Sequence, residues 1–211
     1  MIFTPNNDAT AAAIGKFCNV PSAMIPFLSS SLIFVIFDRR LIPTNIVNRF
    51  TTTNINDDLK ISTRTSFNSI VEIGGGYGGL CKVMSSFVKF DQYLLLDLEE
   101  CNLLSRRYLS IFNLPTLSHR AEEIDEIDEN FDLLISNYAL SECDRETQMM
   151  YIERFVKKSN KFYIMHNNFH ADNGNMSYEE FIDIMADTHD IEYHGEHGID
   201  ENPKVMFGVI K

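Results

Sequence analysis

Basic charge is scarce in this 211-residue chain: 18 lysines and arginines stand against 30 aspartates and glutamates, a formal net charge of −12. A surface built to grip a polyphosphate backbone carries the opposite sign, so nucleic acid is not the expected partner. Cysteine is also sparse. Cys18, Cys81, Cys101 and Cys143 are scattered without a CxxC pair, which excludes a small disulfide-rich framework and fits a reducing, cytoplasmic setting. Cys81 reads as a small buried hydrophobe. Long apolar runs are missing too. The strongest, Leu32 to Phe37, ends against Asp38, Arg39 and Arg40, far short of the roughly 20 residues that span a bilayer. The opening MIFTPNNDATAAAIGKF has neither the basic start nor the apolar core of a signal peptide. The expectation is a soluble protein with no membrane partner. There is no internal repeat or low-complexity tract.

What the chain does have is an ordinary globular balance, 45 % hydrophobic and 23 % charged, enough for one domain with a sizeable core. Its character changes near residue 66. Before that point, polar patches (TPNND, TTTNINDD) surround apolar segments broken by Pro21, Pro26 and Pro43. Residues 1–66 read as a small, mostly helical piece serving as a lid, an acceptor-side element or a dimerisation surface, so a homodimer is among the expected assemblies. Residues 67–211 read as the main domain.

In that domain, strand-like and helix-like patterns alternate. Apolar, β-branched runs occur at 69–73, 93–96, 116–118, 131–136 and 161–165, and two further strands at 190–194 and 204–210. Between them, Leu80, Val83, Met84, Phe87 and Val88 recur at helical spacing, as do Leu104, Tyr108, Ile111 and Phe112. Residues 142–157 read as a helix whose start Ser141 and Asp144 cap, and Ser177 with Glu180 begins another. Strand–helix alternation predicts an α/β fold with a mostly parallel seven-stranded sheet and helices on both faces. The last two strands have no helix between them, so they are expected to pair antiparallel at one edge. Ligands of such sheets bind beyond the carboxyl ends of the strands.

The first of those ends reads SIVEIGGGYGGLCKVM, residues 69–84. Gly74, Gly75, Gly76, Gly78 and Gly79 clear side chains from a tight turn that opens a helix. Two templates fit. Gly74, Gly76 and Gly79 satisfy the dinucleotide pattern G-x-G-x-x-G, with Asp97 placed 18 residues beyond Gly79 to accept from ribose hydroxyls. The same stretch also reads Val71, Glu72, Ile73, Gly74, Gly76, Gly78: a hydrophobic–Glu–hydrophobic lead into alternating glycines. A carboxylate at Glu72 is awkward beside a pyrophosphate and favourable beside a cation. Its plain alternative is a cap on the following helix.

VEIGGGYGGL resembles the first motif of class I S-adenosylmethionine-dependent methyltransferases. YLLLDLEECNLLSRRYL resembles their second-strand motif and FDLLISNYALSE their fourth-strand motif. In combination, the three are most similar to the sugar O-methyltransferase family, over roughly residues 66–170. The resemblance implies a Rossmann-like fold and S-adenosylmethionine as cofactor, with S-adenosylhomocysteine as product. It places the methionine ammonium near Glu72, the backbone of Gly74, Gly75, Gly76 and Gly78 along the ligand, and the ribose on Asp97. It puts Leu98 against the adenine face, Ala121 and Glu122 beside adenine (an acidic solvated loop being the alternative), and Asn137 near the methionine moiety. Tyr138 is expected on the acceptor side. Ser141 and Glu142 match the family's Ser-Glu, which helix capping also explains.

The implied acceptor is a sugar or nucleotide-sugar hydroxyl, a poor nucleophile that benefits from a general base. His166 is the expected base, with His170 or Asp172 behind it, all just past the fifth strand in MHNNFHAD. His166 and His170 share the HxxxH spacing of zinc sites, but the glutamate of HExxH is missing, and no metal is assigned. Glu142, Asp144 and Asp172 are oxygen donors that no spacing selects. His189, His194 and His197 read as surface residues, and His119 as the end of a strand. Two alternatives stay open: a methyltransferase for another small molecule or a protein side chain, and an NAD(P)-dependent oxidoreductase, which lacks a Tyr-x-x-x-Lys pair here.

Overall fold

The computed structural model describes residues 66–124, 130–168, 174–195 and 204–211. The expectations for residues 1–65 and for His170, Asp172 and His197 lie outside the described residues. In chain order the elements are β1 (Ser66–Ile73), α1 (Gly79–Met84), β2 (Lys89–Leu96), α2 (Glu99–Ser110), β3 (Thr116–His119), β4 (Leu133–Asn137), α3 (Ala139–Glu142), α4 (Arg145–Tyr151), β5 (Lys161–His166), α5 (Tyr178–Met185), β6 (His189–Gly195) and β7 (Lys204–Ile210). A 3-10 turn, Ala121–Glu123, follows β3, and a π-helical turn, Ile152–Val156, extends α4.

The strands form one seven-stranded sheet in the order β3-β2-β1-β4-β5-β7-β6. β3, β2, β1, β4 and β5 run parallel, and β7 pairs antiparallel with both β5 and β6. The one reversed strand therefore lies a place in from the edge, and β6 closes the sheet. The chain order turns back between β1 and β4, which makes their carboxyl ends the switch point where a crevice opens.

Strand alternation splits the core in two. Val71, Ile73, Leu94, Leu96, Leu134, Phe162 and Ile164 face α4, its π-helical turn and α5, where Phe155, Phe181 and Met185 meet them. Ile70, Tyr93, Leu95, Leu133, Ile135 and Tyr163 face α1 and α2, against Leu80, Cys81, Met84 and Leu109. Each fully buried Phe or Leu contributes about 1.5–3 kcal/mol relative to exposure. Both faces of the central strands are thus covered, as their unbroken apolar runs require. Cys81 is buried as read from sequence, and burial pushes its thiol far up.

Three local readings are corrected. The helix after the glycines stops at Met84, and Phe87 and Val88 belong to a turn in which both backbone N–H groups donate to Met84 O at 2.9 Å. Residues 142–157 are not one helix. α3 breaks at Cys143, and Asp144 caps α4 by accepting from Thr147 N–H at 2.8 Å, so Ser141 is no cap there. His189 is not a surface residue: it is 2 % exposed, with Nε2 2.8 Å from Ser159 O and Nδ1 2.9 Å from Thr188 Oγ1. The cap at Ser177 is as expected, its Oγ accepting from Glu180 N–H at 3.2 Å. Among the described residues, no helix is long and apolar enough to cross a membrane.

Candidate active site

β1 leads straight into the glycine turn. Gly74 N–H donates to Leu96 O at 2.8 Å, tying the exits of β1 and β2 together. Gly74 has φ +77°, and a Cβ there would lie 2.1 Å from Ala139 Cβ, at the start of α3. No other residue fits, because both backbone conformation and space forbid it. Gly76, with φ +55°, is the contrast. A Cβ there would meet nothing within 4 Å, so its backbone borders open space.

Asp97 reaches into that space from the end of β2. Its Oδ2 accepts from Gly76 N–H and its Oδ1 from Leu98 N–H, each at 2.7 Å. Burial raises this carboxyl's pKa, and the two backbone hydrogen bonds oppose the rise. The seat beneath is built by α2 and β3: Asn102 Nδ2 donates to Asp97 O at 2.8 Å, and Asn102 Oδ1 accepts from Ser118 Oγ at 2.6 Å. Leu98, next in sequence, is 66 % exposed beside the carboxylate.

Glu72 lies under the turn, 3 % exposed, with Oε2 accepting from Tyr93 O–H at 2.9 Å. Burial pushes its pKa up to about 7; the Tyr93 hydrogen bond works against this and the Asp97 charge adds to it. The capping alternative fails, because Gly78 is the N-cap of α1 and no side chain caps that helix. Tyr93 was legible only as a strand residue. Its role follows from register: Glu72 pairs with Leu95, so Tyr93, two residues earlier, shares its face.

Ala121 and Glu122 follow β3. The Ala121 side chain is buried and its carbonyl accepts from Arg154 Nη1 at 3.1 Å, while exposed Glu122 pairs with Arg120 at 3.5 Å. Asn137 ends β4, and its Oδ1 is buried with no hydrogen-bond partner among the described residues. Tyr138 follows with φ +65°, a left-handed conformation uncommon outside glycine. Tyr138 N–H donates to Met165 O at 3.0 Å, which holds this turn against β5.

Ser141 adds a second link, unforeseen in sequence. Its hydroxyl donates to Tyr138 O at 2.8 Å and accepts from Asn167 N–H at 3.3 Å, joining the exits of β4 and β5. His166, the last residue of β5, is 1 % exposed, and its Nδ1 is buried without a partner among the described residues. Burial pushes the imidazole down to about 4, with the Glu179 carboxylate opposing, so the ring is neutral throughout the neutral range. Gln148, another fully buried polar residue, donates to Leu140 O at 3.1 Å and accepts from Met176 N–H at 2.8 Å, fastening α3 and α4 to the segment before α5. Among the described residues, no cluster of three His, Cys, Asp or Glu is placed to hold a metal.

Glu72, the glycine turn, Asp97 and Leu98 thus lie at the adjoining ends of β1 and β2, with Asn137 and His166 at the ends of β4 and β5. Solved structures share this architecture. The N-methyltransferase NodS from Bradyrhizobium japonicum WM9, in complex with S-adenosyl-L-homocysteine, superposes with a TM-score of 0.63 at 12 % identity, covering 89 % of this chain and 96 % of that one. The fold is a methyltransferase fold. An rRNA methylase from Streptococcus thermophilus gives 0.55 at 15 % identity over 81 % and 98 % of the two chains. The methyltransferase domain of bacterial CtHen1 gives 0.56 at 11 % over 77 % and 98 %. At these identities the likeness concerns architecture. No protein-family model and no curated relative matches the sequence.

Proposed function

We propose that this chain is an S-adenosylmethionine-dependent O-methyltransferase whose acceptor is a sugar hydroxyl, nucleotide-linked or glycan-bound. The observation that carries the cofactor is the docking of the Asp97 carboxylate on the Gly76 N–H at 2.7 Å, beside backbone that borders open space. The donor set fits the group. Asp97 suits a ribose diol, where charge-assisted hydrogen bonds are strong. Buried Glu72 suits an ammonium or sulfonium rather than a pyrophosphate, and Asn137 Oδ1 is an acceptor that lacks a donor among the described residues.

In this reading Gly74, Gly75, Gly76 and Gly78 supply the backbone wall, and Leu98 covers the adenine face with Ala121 and Glu122 nearby. When bound, S-adenosylmethionine supplies a methyl group on a sulfonium, open to in-line displacement. The protein's part is chiefly to align the acceptor and exclude water. His166 takes the hydroxyl proton at Nδ1, the nitrogen with no partner among the described residues. Neutral at working pH, the ring is always ready to accept. His170 and Asp172 are the next candidates for the base, on the sequence alone. The sugar acceptor rests on the resemblance of EIGGGYGGL, LLLDLEE and SNYALSE to sugar O-methyltransferases. The N-terminal segment is assigned to the acceptor side, as lid or dimer contact.

Calorimetric titration with S-adenosylhomocysteine, with NADH and NADPH as controls, tests the cofactor. Micromolar binding of S-adenosylhomocysteine alone is the expected result. Binding of a nicotinamide cofactor alone would overturn the reading and restore the oxidoreductase alternative.

A further inference from the structure

Beyond the cofactor opening, the carboxyl end of the sheet continues across β5, β7 and β6. There His166 pairs with Lys204, and Lys204 pairs in turn with Gly195. Directly opposed residues of antiparallel strands project from the same face, their Cβ atoms about 4.5–5.5 Å apart. Lys204 therefore rises beside His166 on the face covered by α5. On its other side Gly195 presents no side chain, and a Cβ there would meet nothing within 4 Å among the described residues.

Two tyrosines border this row. Tyr178 opens α5 and Tyr193 lies two residues before Gly195 on the same face, their ring centroids 6.1 Å apart. The Lys204 ammonium sits 5.6 Å from the Tyr178 centroid. Among the described residues it has no carboxylate within ion-pair distance. Glu179, in the first turn of α5, is engaged by Asn168 Nδ2 at 3.3 Å. Tyr193 is 55 % exposed.

A lysine held over an aromatic ring without a counter-ion is a ready partner for an anion. In a chain of net charge −12, an anionic ligand is repelled at long range and needs such a local cation to bind. An exposed tyrosine face adds apolar contact for a flat or sugar ring. We propose that His166, Lys204, Gly195, Tyr178 and Tyr193 form an acceptor shelf for an anionic ring compound, its phosphate or carboxylate on Lys204 and its ring against Tyr193. The inference rests on the methyltransferase reading above.

The test uses the full chain saturated with S-adenosylhomocysteine, titrated with uridine diphosphate, galacturonate and galactose. The expected result is at least tenfold tighter binding of one or both anions than of galactose. Uridine diphosphate alone marks a phosphate as the recognised group, and galacturonate alone a carboxylate. Lys204→Gln removes the preference, Lys204→Arg keeps it, and Tyr193→Ala weakens both anions several-fold, all with unchanged S-adenosylhomocysteine affinity. If the wild-type protein, with that product bound, holds galactose as tightly as the anions or binds none of the three, the shelf is wrong and the cofactor site stands. A folded Lys204→Gln protein that keeps the anion preference overturns the shelf as well. Failure to bind S-adenosylhomocysteine removes the methyltransferase reading and the shelf with it.

Discussion

Between β1 and β2, the site is held by groups close in sequence: Gly76 and Asp97 lie 21 residues apart and meet through one 2.7 Å hydrogen bond. Between β4 and β7, it is held over longer stretches of chain, with Ser141 clasping Asn167, 26 residues on, and Lys204 placed against His166, 38 residues before it. The two regions also differ electrically. The first sets two acids, Glu72 and Asp97, at its strand ends, whereas the second offers a neutral imidazole and an ammonium with no carboxylate partner among the described residues. In the proposed function the first end takes the cationic cofactor and the second a neutral or anionic acceptor, two molecules that do not compete for the same groups.

The comparison breaks first at His166. His166→Ala is expected to lower kcat by roughly 10²–10⁴-fold, the usual contribution of a general base, while leaving S-adenosylhomocysteine affinity nearly intact. The wild-type profile sharpens the point. The ring must be neutral to accept a proton, and burial holds it near 4, so kcat/KM stays level through pH 6.5 and falls only toward pH 4. An acid limb at the ordinary histidine value, or a near-normal rate in the alanine variant, removes His166 as base.

Asp97→Ala acts on the other region, weakening S-adenosylhomocysteine by roughly 1.5–3 kcal/mol, the worth of hydrogen bonds to a charged group. Calorimetry on a folded variant with unchanged affinity would take the ribose away from Asp97. The smallest effect belongs to Glu72. Its pKa of about 7 leaves the carboxyl half protonated at neutral pH, and a bound ammonium favours the ionised form. Affinity for S-adenosylhomocysteine therefore rises as pH goes from 6 to 8, by about tenfold if the bound carboxyl stays ionised throughout. Glu72→Gln flattens that dependence; a wild-type profile already flat over this range would place the ammonium elsewhere.

The two regions were not equally legible. The glycine turn, Asp97 and the order of strands follow from short-range patterns: apolar runs of strand length, glycines at a bend, an acid at the next strand end. Asn137 and His166 could be named because each ends an apolar run. The partner of Glu72 could not, since Tyr93 shares its face only through the β1–β2 register. Asn102, Gln148 and Ser141 looked like ordinary helix or cap residues. Each became a buried link because tertiary packing removed water and left backbone groups that only those side chains could satisfy. Capping at Ser141 and a surface place for His189 were misread for the same reason: local rules assume solvent, and both side chains found buried partners instead.

By itself the sequence determined the alternation of strands and helices, the position of the tight turn and the acid that follows it, because these depend on periodicity and backbone freedom within a few residues. Only the tertiary structure decided which polar groups are buried, which way the pKa values of Glu72 and His166 move, and that Lys204 stands beside His166. Those properties depend on burial and on strand pairing across 38 residues of chain, and no local pattern encodes them.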